Sequence, residues 1–205
     1  ARDYHALSKL INTAKPDVVV HLAAVSHSNK SNKDPHSTFD HSLRTLENAM
    51  DSVRESKAHF IYFSSSMVYG NFNSKKVKED SVLNPMGIYG TLKLCGEHMV
   101  KSYNQVFDMP YTIIRPSALY GERCVSGRVS QLFIENILKG DEIVINGDGK
   151  EKLDFTYIED LIQGIKLCIT KKQAINQTFN ITYGKGQSVI KLVNILSKYF
   201  PKIAC

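Results

Sequence analysis

The stretch of sequence that decides the fold is DVVVHLAA, residues 17–24, which directly follows Lys15-Pro16. Its run of β-branched residues has no polar alternation, which is typical of a strand buried on both faces of a sheet. After a polar segment, residues 39–53 place apolar side chains at the spacing of one helical face. A buried strand followed by an amphipathic helix predicts the first half of a parallel βαβ unit.

The alternation of strand and helix continues along the chain. The patterns predict strands at 60–63, 111–114, 142–145, 154–157 and 178–181, a turn at 146–149, and helices at 88–106, 129–138, 159–169 and 188–199. We therefore expect an α/β fold built on a doubly wound parallel sheet, in which ligands bind at the carboxyl ends of the strands. The site should lie just after Ala24, Ser64 and Arg115.

The composition restricts the class of protein. The chain has 205 residues, of which 42% are hydrophobic and 22% charged, so we expect a packed core rather than disorder. The net charge is +6, but the lysines are scattered without interleaved aromatic residues, so we predict a solvated surface and no nucleic-acid partner. No apolar run is long enough to cross a bilayer, so we expect no membrane partner.

Cysteine usage indicates the compartment. The four cysteines lie far apart and form no C-x-x-C pair, so we expect neither a disulfide framework nor a metal site. A reducing cytoplasm suits such a chain best.

The most informative local pattern is Tyr89-Gly90-Thr91-Leu92-Lys93, inside the helix predicted at 88–106. Side chains four residues apart project from the same helical face, one turn apart. A tyrosine with an ordinary pKa of about 10 is a poor base at neutral pH, but a neighbouring ammonium favours the phenolate. The pattern is compatible with a tyrosine general base, although the same spacing also arises on helix faces that only contact solvent.

A serine-rich segment follows the strand predicted at 60–63. The sequence Ser64-Ser65-Ser66-Met67-Val68-Tyr69-Gly70 presents a hydroxyl at the carboxyl edge of the sheet. The simpler interpretation is a loop whose serines cap or turn the chain. The local pattern alone leaves both interpretations open.

Together these motifs resemble those of the extended short-chain dehydrogenase/reductases, and within them the NAD-dependent epimerase/dehydratase branch that acts on nucleotide sugars. The resemblance covers nearly the whole chain. Besides the two motifs above, it rests on the segments 21–24 (HLAA), 115–121 (RPSALYG), 147–149 (GDG), 154–161 (DFTYIEDL) and 179–181 (FNI). Several motifs in the same order are more specific than any single one.

The resemblance implies a role for each matching position. Tyr89 is the implied catalytic base, Lys93 acidifies it and binds the nicotinamide ribose, and Ser65 orients the sugar oxygen. The implied cofactor is NAD, with NADP not excluded, and the cofactor-binding positions are Leu22, Ala23, Ala24, Ser64, Tyr89, Lys93 and Pro116. The substrate-binding positions are Ser66, Ser117, Arg123 and Arg128. Plain core is the competing interpretation for the apolar positions, and exposed surface for the two arginines.

Three positions depart from the family pattern. Ser42 and Ala118 stand where asparagine is usual, and Leu153 stands where an arginine often contacts the substrate diphosphate. An aliphatic side chain cannot pair with phosphate, so substrate anchoring must differ. The family's glycine-rich phosphate turn is not found among the twelve glycines. We expect the chain to be a segment of a longer protein, with an incomplete Rossmann-like fold that lacks the amino-terminal strand and turn and the carboxyl-terminal end.

The family resemblance implies a division of the chain into two regions and one main activity. Residues 1–125 are expected to form a dinucleotide-binding core, and residues 126–205 a mixed substrate-binding region that caps the cleft and returns helices and strands to the core. The implied activity is 4-epimerisation of a nucleotide sugar through a transient 4-keto sugar. A nucleotide-sugar reductase is an alternative, and a dehydratase is disfavoured because Ser66 and Met67 replace an acidic pair. A non-catalytic binding protein is the alternative from another class. For the full-length protein a homodimer is expected.

Overall fold

The computed structural model describes residues 1–71, 76–124 and 127–200. The helices, in chain order, are α1 (Tyr4–Ala14), α2 (Ser28–Lys33), α3 (Pro35–Phe39), α4 (Thr45–Val53), α5 (Gly87–Phe107), α6 (Val129–Lys139), α7 (Ile158–Thr170) and α8 (Val189–Tyr199). The strands are β1 (Val18–His21), β2 (His59–Phe63), β3 (Tyr111–Pro116), β4 (Ala118–Tyr120), β5 (Lys152–Leu153), β6 (Phe155–Tyr157), β7 (Gln177–Ile181) and β8 (Gln187–Ser188). A π-helical turn, Asp40–Arg44, joins α3 to α4, and short 3₁₀ helices lie at Ser66–Tyr69 and Lys172–Ala174.

Four parallel strands form the central sheet, in the order β1-β2-β3-β7. The register pairs Phe63 with Ile114 and Pro116 with Ile181. Because parallel strands all run in one direction, their carboxyl ends lie at one edge of the sheet. The predicted parallel α/β sheet is confirmed, and the segments that follow β1, β2 and β3 all start from that edge.

Helices α1, α4 and α5 contribute to the core on one face of this sheet. Leu46, Met50 and Val53 form a buried stripe along α4 and share a cluster with Phe60 and Ile113. Alternate residues of a strand point to the same face, so Phe60 and Tyr62 both join this cluster. Burial of each large apolar side chain contributes about 1.5–3 kcal/mol, which holds β2 and the helices together.

The chain folds into two compact units. The first comprises Ala1–Pro116 and Gln163–Ile181 and contains the central sheet, while the second comprises Ser117–Ile162 and the chain from Thr182 onward. The hydrogen bonds between β7 and β3 return residues 163–181 to the first unit. Residues 163–181 thus belong to the same unit as the central sheet.

The second unit is built from short strands and two helices. In it β4 pairs in parallel with β6, and β5 pairs antiparallel with β8. Helices α6 and α8 contribute to an apolar cluster that contains Phe133, Ile143 and Val193. The strand predicted at 142–145 is wrong: these residues are described without regular structure, although Ile143 is 4% exposed. An apolar side chain can be buried from an irregular segment, whereas a strand also needs a partner strand.

Helices also lie where the sequence predicts none. α1 follows Asp3, whose side-chain oxygen accepts a hydrogen bond from Ala6 N at 2.9 Å as an amino-terminal cap. The short α2 lies in the polar segment after β1, and the helix predicted at 39–53 is found as the end of α3, the π-helical turn and α4. Within the described ranges, no helix combines the length and the hydropathy needed to cross a bilayer.

Candidate active site

The serine segment, residues 64–70, continues directly from β2. Ser64 N donates to Ile114 O at 2.8 Å, which extends the strand ladder by one residue. Ser65 Oγ then accepts a hydrogen bond from Met67 N at 3.2 Å and caps the 3₁₀ helix Ser66–Tyr69. Ser65 is 8% exposed. The capping role considered from the sequence is present, and it leaves the hydroxyl proton of Ser65 available for another acceptor.

Two contacts position the start of α5, one with α2 and one with the serine segment. Ile88 N donates to Asn32 Oδ1 of α2 at 3.1 Å, so a side chain from a distant part of the sequence caps α5. A Cβ on Gly90 would lie 2.7 Å from the carbonyl oxygen of Met67. Only glycine allows α5 to approach the backbone of the serine segment this closely. Tyr89, the residue before this glycine, is therefore held next to the segment.

Lys93 lies one helical turn further along α5 and is 7% exposed. Its Nζ donates to Phe63 O, the last carbonyl of β2, at 2.6 Å. The same Nζ lies 5.3 Å from the ring centroid of Tyr62 and 5.9 Å from that of Tyr89. Burial lowers the pKa of Lys93 to about 8. The structure thus brings Tyr89 and Lys93 together at the carboxyl end of β2, immediately before the serine segment.

A buried ion pair, missed by the sequence analysis, lies beside these residues. Arg115 of β3 donates from Nε and Nη2 to the Glu97 oxygens Oε1 and Oε2, at 2.8 and 2.6 Å. Burial by itself lowers the pKa of Arg115, but the hydrogen bonds and charge of Glu97 outweigh it and raise that pKa. Ser64 Oγ also donates to Glu97 Oε1, at 2.5 Å. The spacing along α5 could have pointed to Glu97, because it follows Lys93 by four residues and so lies on the same helical face.

The predicted cofactor-binding residues follow the ends of β1, β2 and β3. Leu22 is 66% exposed, and Ala23 O accepts a hydrogen bond from Thr45 Oγ1 at 3.0 Å. Ala24 is half-buried, and Pro116 is the last residue of β3. The carboxyl edge of the sheet therefore places them on the same side as Ser64. Their contacts with a cofactor stay predictions.

His21, the last residue of β1, is a further residue to which the sequence analysis assigned no role. It is 7% exposed, and its ring stacks beside Phe60 and Tyr62. Its Nε2 is buried and has no hydrogen-bond partner among the described residues. Burial, and then the charge of Lys93, lower the pKa of His21 to about 4. His21 is therefore a neutral imidazole near pH 7.

The predicted substrate-binding residues fall in both units. Ser66 is half-buried at the start of the 3₁₀ helix in the first unit. Ser117 lies between β3 and β4, Arg123 is exposed in the following turn with a φ of 61°, and Arg128 is the N-cap residue of α6. These three belong to the second unit. Their substrate contacts stay predictions.

The chain was compared with known proteins. A family model described as the NAD dependent epimerase/dehydratase family matches residues 1–182. The chain is 34% identical over 182 residues to the uncharacterised UDP-glucose epimerase YtcB of Bacillus subtilis, covering 88% of this chain and 57% of that protein. It is 29% identical over 191 residues to the dTDP-D-glucose 4,6-dehydratase of Dictyostelium discoideum, covering 87% of this chain and 44% of the relative. The chain thus spans about half the length of these curated relatives.

A solved structure with similar coverage agrees with these matches. The UDP-glucuronic acid 4-epimerase from Bacillus cereus, in complex with UDP-glucuronic acid and NAD, superposes with a TM-score of 0.87. It is 33% identical, and the match covers 94% of this chain and 61% of that chain. The predicted Rossmann-like fold is confirmed. This chain belongs to the NAD-dependent epimerase/dehydratase family.

Proposed function

We propose that the whole protein is an NAD-dependent nucleotide-sugar 4-epimerase in which Tyr89 is the general base. The observation that carries this proposal is the buried ammonium of Lys93, 5.9 Å from the centroid of the Tyr89 ring at the carboxyl end of β2. Burial disfavours the charged form of Lys93 and lowers its pKa, so a lysine at this position has a free-energy cost. A cation beside the phenol favours the phenolate that the reaction uses.

The residues at this edge are suited to the nicotinamide end of NAD. Lys93 donates to one carbonyl oxygen among the described residues, which leaves two of its N–H groups for ribose hydroxyls. The exposed Leu22 and the half-buried Pro116 offer apolar surface to a flat ring. When bound, NAD accepts hydride from C4 of the sugar and later returns it.

The side chains of the chain itself perform the proton transfer. Tyr89 takes the proton of the C4 hydroxyl while the C4–H bond breaks, so that C4 becomes a carbonyl carbon. Ser65 donates its hydroxyl proton in a hydrogen bond to the same oxygen and holds it toward Tyr89. Lys93 stabilises the phenolate. After the 4-keto sugar has turned over and C4–H has re-formed on the other face, Tyr89 returns the proton to the oxygen.

Dehydration is the second candidate, because one relative is a 4,6-dehydratase. Loss of the C6 hydroxyl as water needs an acid and a base near C6. The residues at the corresponding positions, Ser66 and Met67, carry no carboxyl group. A nucleotide-sugar reductase that uses NAD or NADP is the third candidate. A binding protein without turnover is the candidate outside the enzymes.

The remaining proposals concern the substrate and the assembly. We propose that Ser66 and Ser117 contact the sugar, and that Arg123 or Arg128 pairs with the diphosphate in place of the arginine absent at Leu153. A homodimer is proposed from the family resemblance. A cytoplasmic location is proposed because the four cysteines are widely spaced and form no C-x-x-C pair.

The test is turnover by the full-length protein with UDP-, GDP-, CDP- and dTDP-sugars, followed by mass spectrometry and cofactor absorbance. An epimerase yields a product of unchanged mass and a dehydratase one lighter by a water. A reductase needs a 4-keto nucleotide sugar in the panel and converts its carbonyl to a hydroxyl, which makes the product heavier by two hydrogens and consumes added reduced cofactor. Tyr89→Phe keeps the ring but removes the proton acceptor, so kcat should fall at least ~100-fold with little change in the unfolding midpoint. Near-parental turnover in Tyr89→Phe would overturn the proposed base.

A further inference from the structure

The Glu97–Arg115 ion pair is buried to an unusual degree for two charged side chains. Each residue is 1% exposed, and the guanidinium contacts both carboxylate oxygens. Bidentate pairs of this kind are strong and fix the geometry of both partners. Their net contribution to stability is small, however, because removal of two charges from water offsets the attraction between them. Stability alone therefore gives little reason for this pair.

Both members of the pair also bind the serine segment. Glu97 Oε1 accepts from Ser64 Oγ at 2.5 Å, at the first residue of the segment. Arg115 Nη1 donates to the hydroxyl oxygen of Tyr69 at 2.6 Å, near the last residue. Ser65 lies between these two attachments. The segment that carries the predicted substrate-orienting hydroxyl is thus held near both ends by one ion pair.

Further hydrogen bonds fix the pair and the segment against the sheet. Tyr69 OH donates to Asn180 Oδ1 of β7 at 2.8 Å. Arg115 Nη1 also donates to Glu79 O at 3.0 Å, and Asn180 N donates to Glu79 Oε1 at 2.7 Å. The network joins β3, β7 and α5 to the serine segment.

We propose that Glu97 and Arg115 are positioning residues that set the location of Ser65 relative to Tyr89 and Lys93. Among the described residues, the side chain of Ser65 makes one hydrogen bond, which it accepts from Met67 N inside the same segment. The attachments to Glu97 and Arg115 act together with the close approach of Gly90 to Met67 O in setting the location of the segment against α5. This inference rests on the proposed function, and neither Glu97 nor Arg115 is assigned any contact with substrate or cofactor.

The first test is Glu97→Gln in the full-length protein, measured without ligand and during turnover. The amide loses the charge that Arg115 and Ser64 contact, so we expect backbone hydrogen exchange at residues 64–70 to accelerate at least ~10-fold more than exchange in α1 and β1, which reports the global loss of stability. With the best nucleotide-sugar substrate, kcat should fall by roughly 10- to 100-fold and KM by less than about 3-fold in either direction. The control is Ser52→Ala, which removes a buried hydroxyl in α4 that donates to Asn48 O at 2.7 Å.

The second test separates positioning from stability. Glu97→Leu combined with Arg115→Met replaces the ion pair by apolar side chains of similar size, which in other proteins preserves or raises stability. We expect an unfolding midpoint close to the parent's, with kcat still low and exchange at 64–70 still fast. If kcat and slow exchange at 64–70 return to the parental values along with the unfolding midpoint, the inference is overturned, because the pair would then act only through stability.

If the double variant does not fold, Tyr69→Phe decides the question, since it removes one hydroxyl at the end of the segment. We expect faster exchange at 64–70 and about 10-fold lower kcat, with an unfolding midpoint near the parent's. Tyr111→Phe, at a buried tyrosine of β3, is the matched control. Parental exchange and kcat in Tyr69→Phe would overturn the inference. If the parent turns over no nucleotide sugar, the proposed function fails, and exchange at 64–70 in ligand-free protein still decides whether the pair holds the segment.

Discussion

Gly90→Ala tests whether the close approach of α5 to the serine segment places Tyr89 for reaction. The new Cβ would lie 2.7 Å from Met67 O and 3.1 Å from Pro85 Cβ. The first neighbour is a backbone atom and cannot rotate away. Either α5 or the segment must move by about 0.7 Å to reach the 3.4 Å at which ordinary van der Waals contact begins.

The magnitudes of the two effects differ. Overpacking costs about 1–3 kcal/mol, and replacement of glycine by alanine inside a helix returns about 1 kcal/mol. The net loss of about 0–2 kcal/mol should lower the unfolding midpoint by at most roughly 8 °C in a chain of this size. Misplacement of a reacting group by about 1 Å can cost roughly 100-fold in rate, so we expect kcat to fall about 10- to 100-fold.

The assay combines kcat and KM of the full-length protein with a thermal unfolding curve. Thr91→Ala is the matched control, because Thr91 is exposed on α5 and its hydroxyl donates to Gly87 O within the same helix. We expect Thr91→Ala to keep the parental kcat. A Gly90→Ala protein with parental kcat, and with the parental spacing between α5 and the serine segment in its crystal structure, would refute the reasoning.

Three further predictions concern charge. Burial lowers the pKa of Lys93 from 10.5 to about 8, so the unfolded chain binds more protons between these values and stability rises with pH there. The parent should gain up to about 3 kcal/mol over Lys93→Met between pH 8 and 10.5, and a constant difference in denaturation experiments would contradict this. The pKa of His21 is lowered from 6.5 to about 4, so the unfolded chain binds more protons than the folded one between these pH values. The free energy of unfolding should therefore fall by up to about 3 kcal/mol as the pH drops from 6.5 to about 4, and His21→Phe should lack this loss. Glu97→Gln leaves the Arg115 charge unpaired and should cost about 3–5 kcal/mol by urea unfolding; a loss below about 1 kcal/mol would show that Arg115 finds another partner.

The local parts of the site could be predicted from the sequence because they depend on spacing along the chain. Tyr89 and Lys93 share one helical face wherever the helix lies, and the β-branched run within residues 17–24 forms strand β1 as predicted. The predicted burial of this strand on both faces is wrong: Val20 is 36% exposed, because β1 is at the end of the described strand order β1-β2-β3-β7. The carboxyl edge follows from the same patterns, since strands joined by helices run in one direction. The roles of Ser65, Tyr89 and Lys93 came from the family resemblance and stay predictions.

Tertiary structure decided which distant residues meet. Asn32 caps α5 from 56 positions away, and Glu97 meets Arg115 across 18 positions, from a helix and a strand respectively. Residues 142–145 have the composition of a strand but find no partner strand among the described residues, so they stay irregular while Ile143 is buried. Hydrogen bonds and ion pairs require both groups to be brought within about 3 Å, and that depends on which elements become neighbours. Periodicity along the chain predicts which face of a helix or strand each side chain lies on. It does not predict which group of another element that side chain will contact.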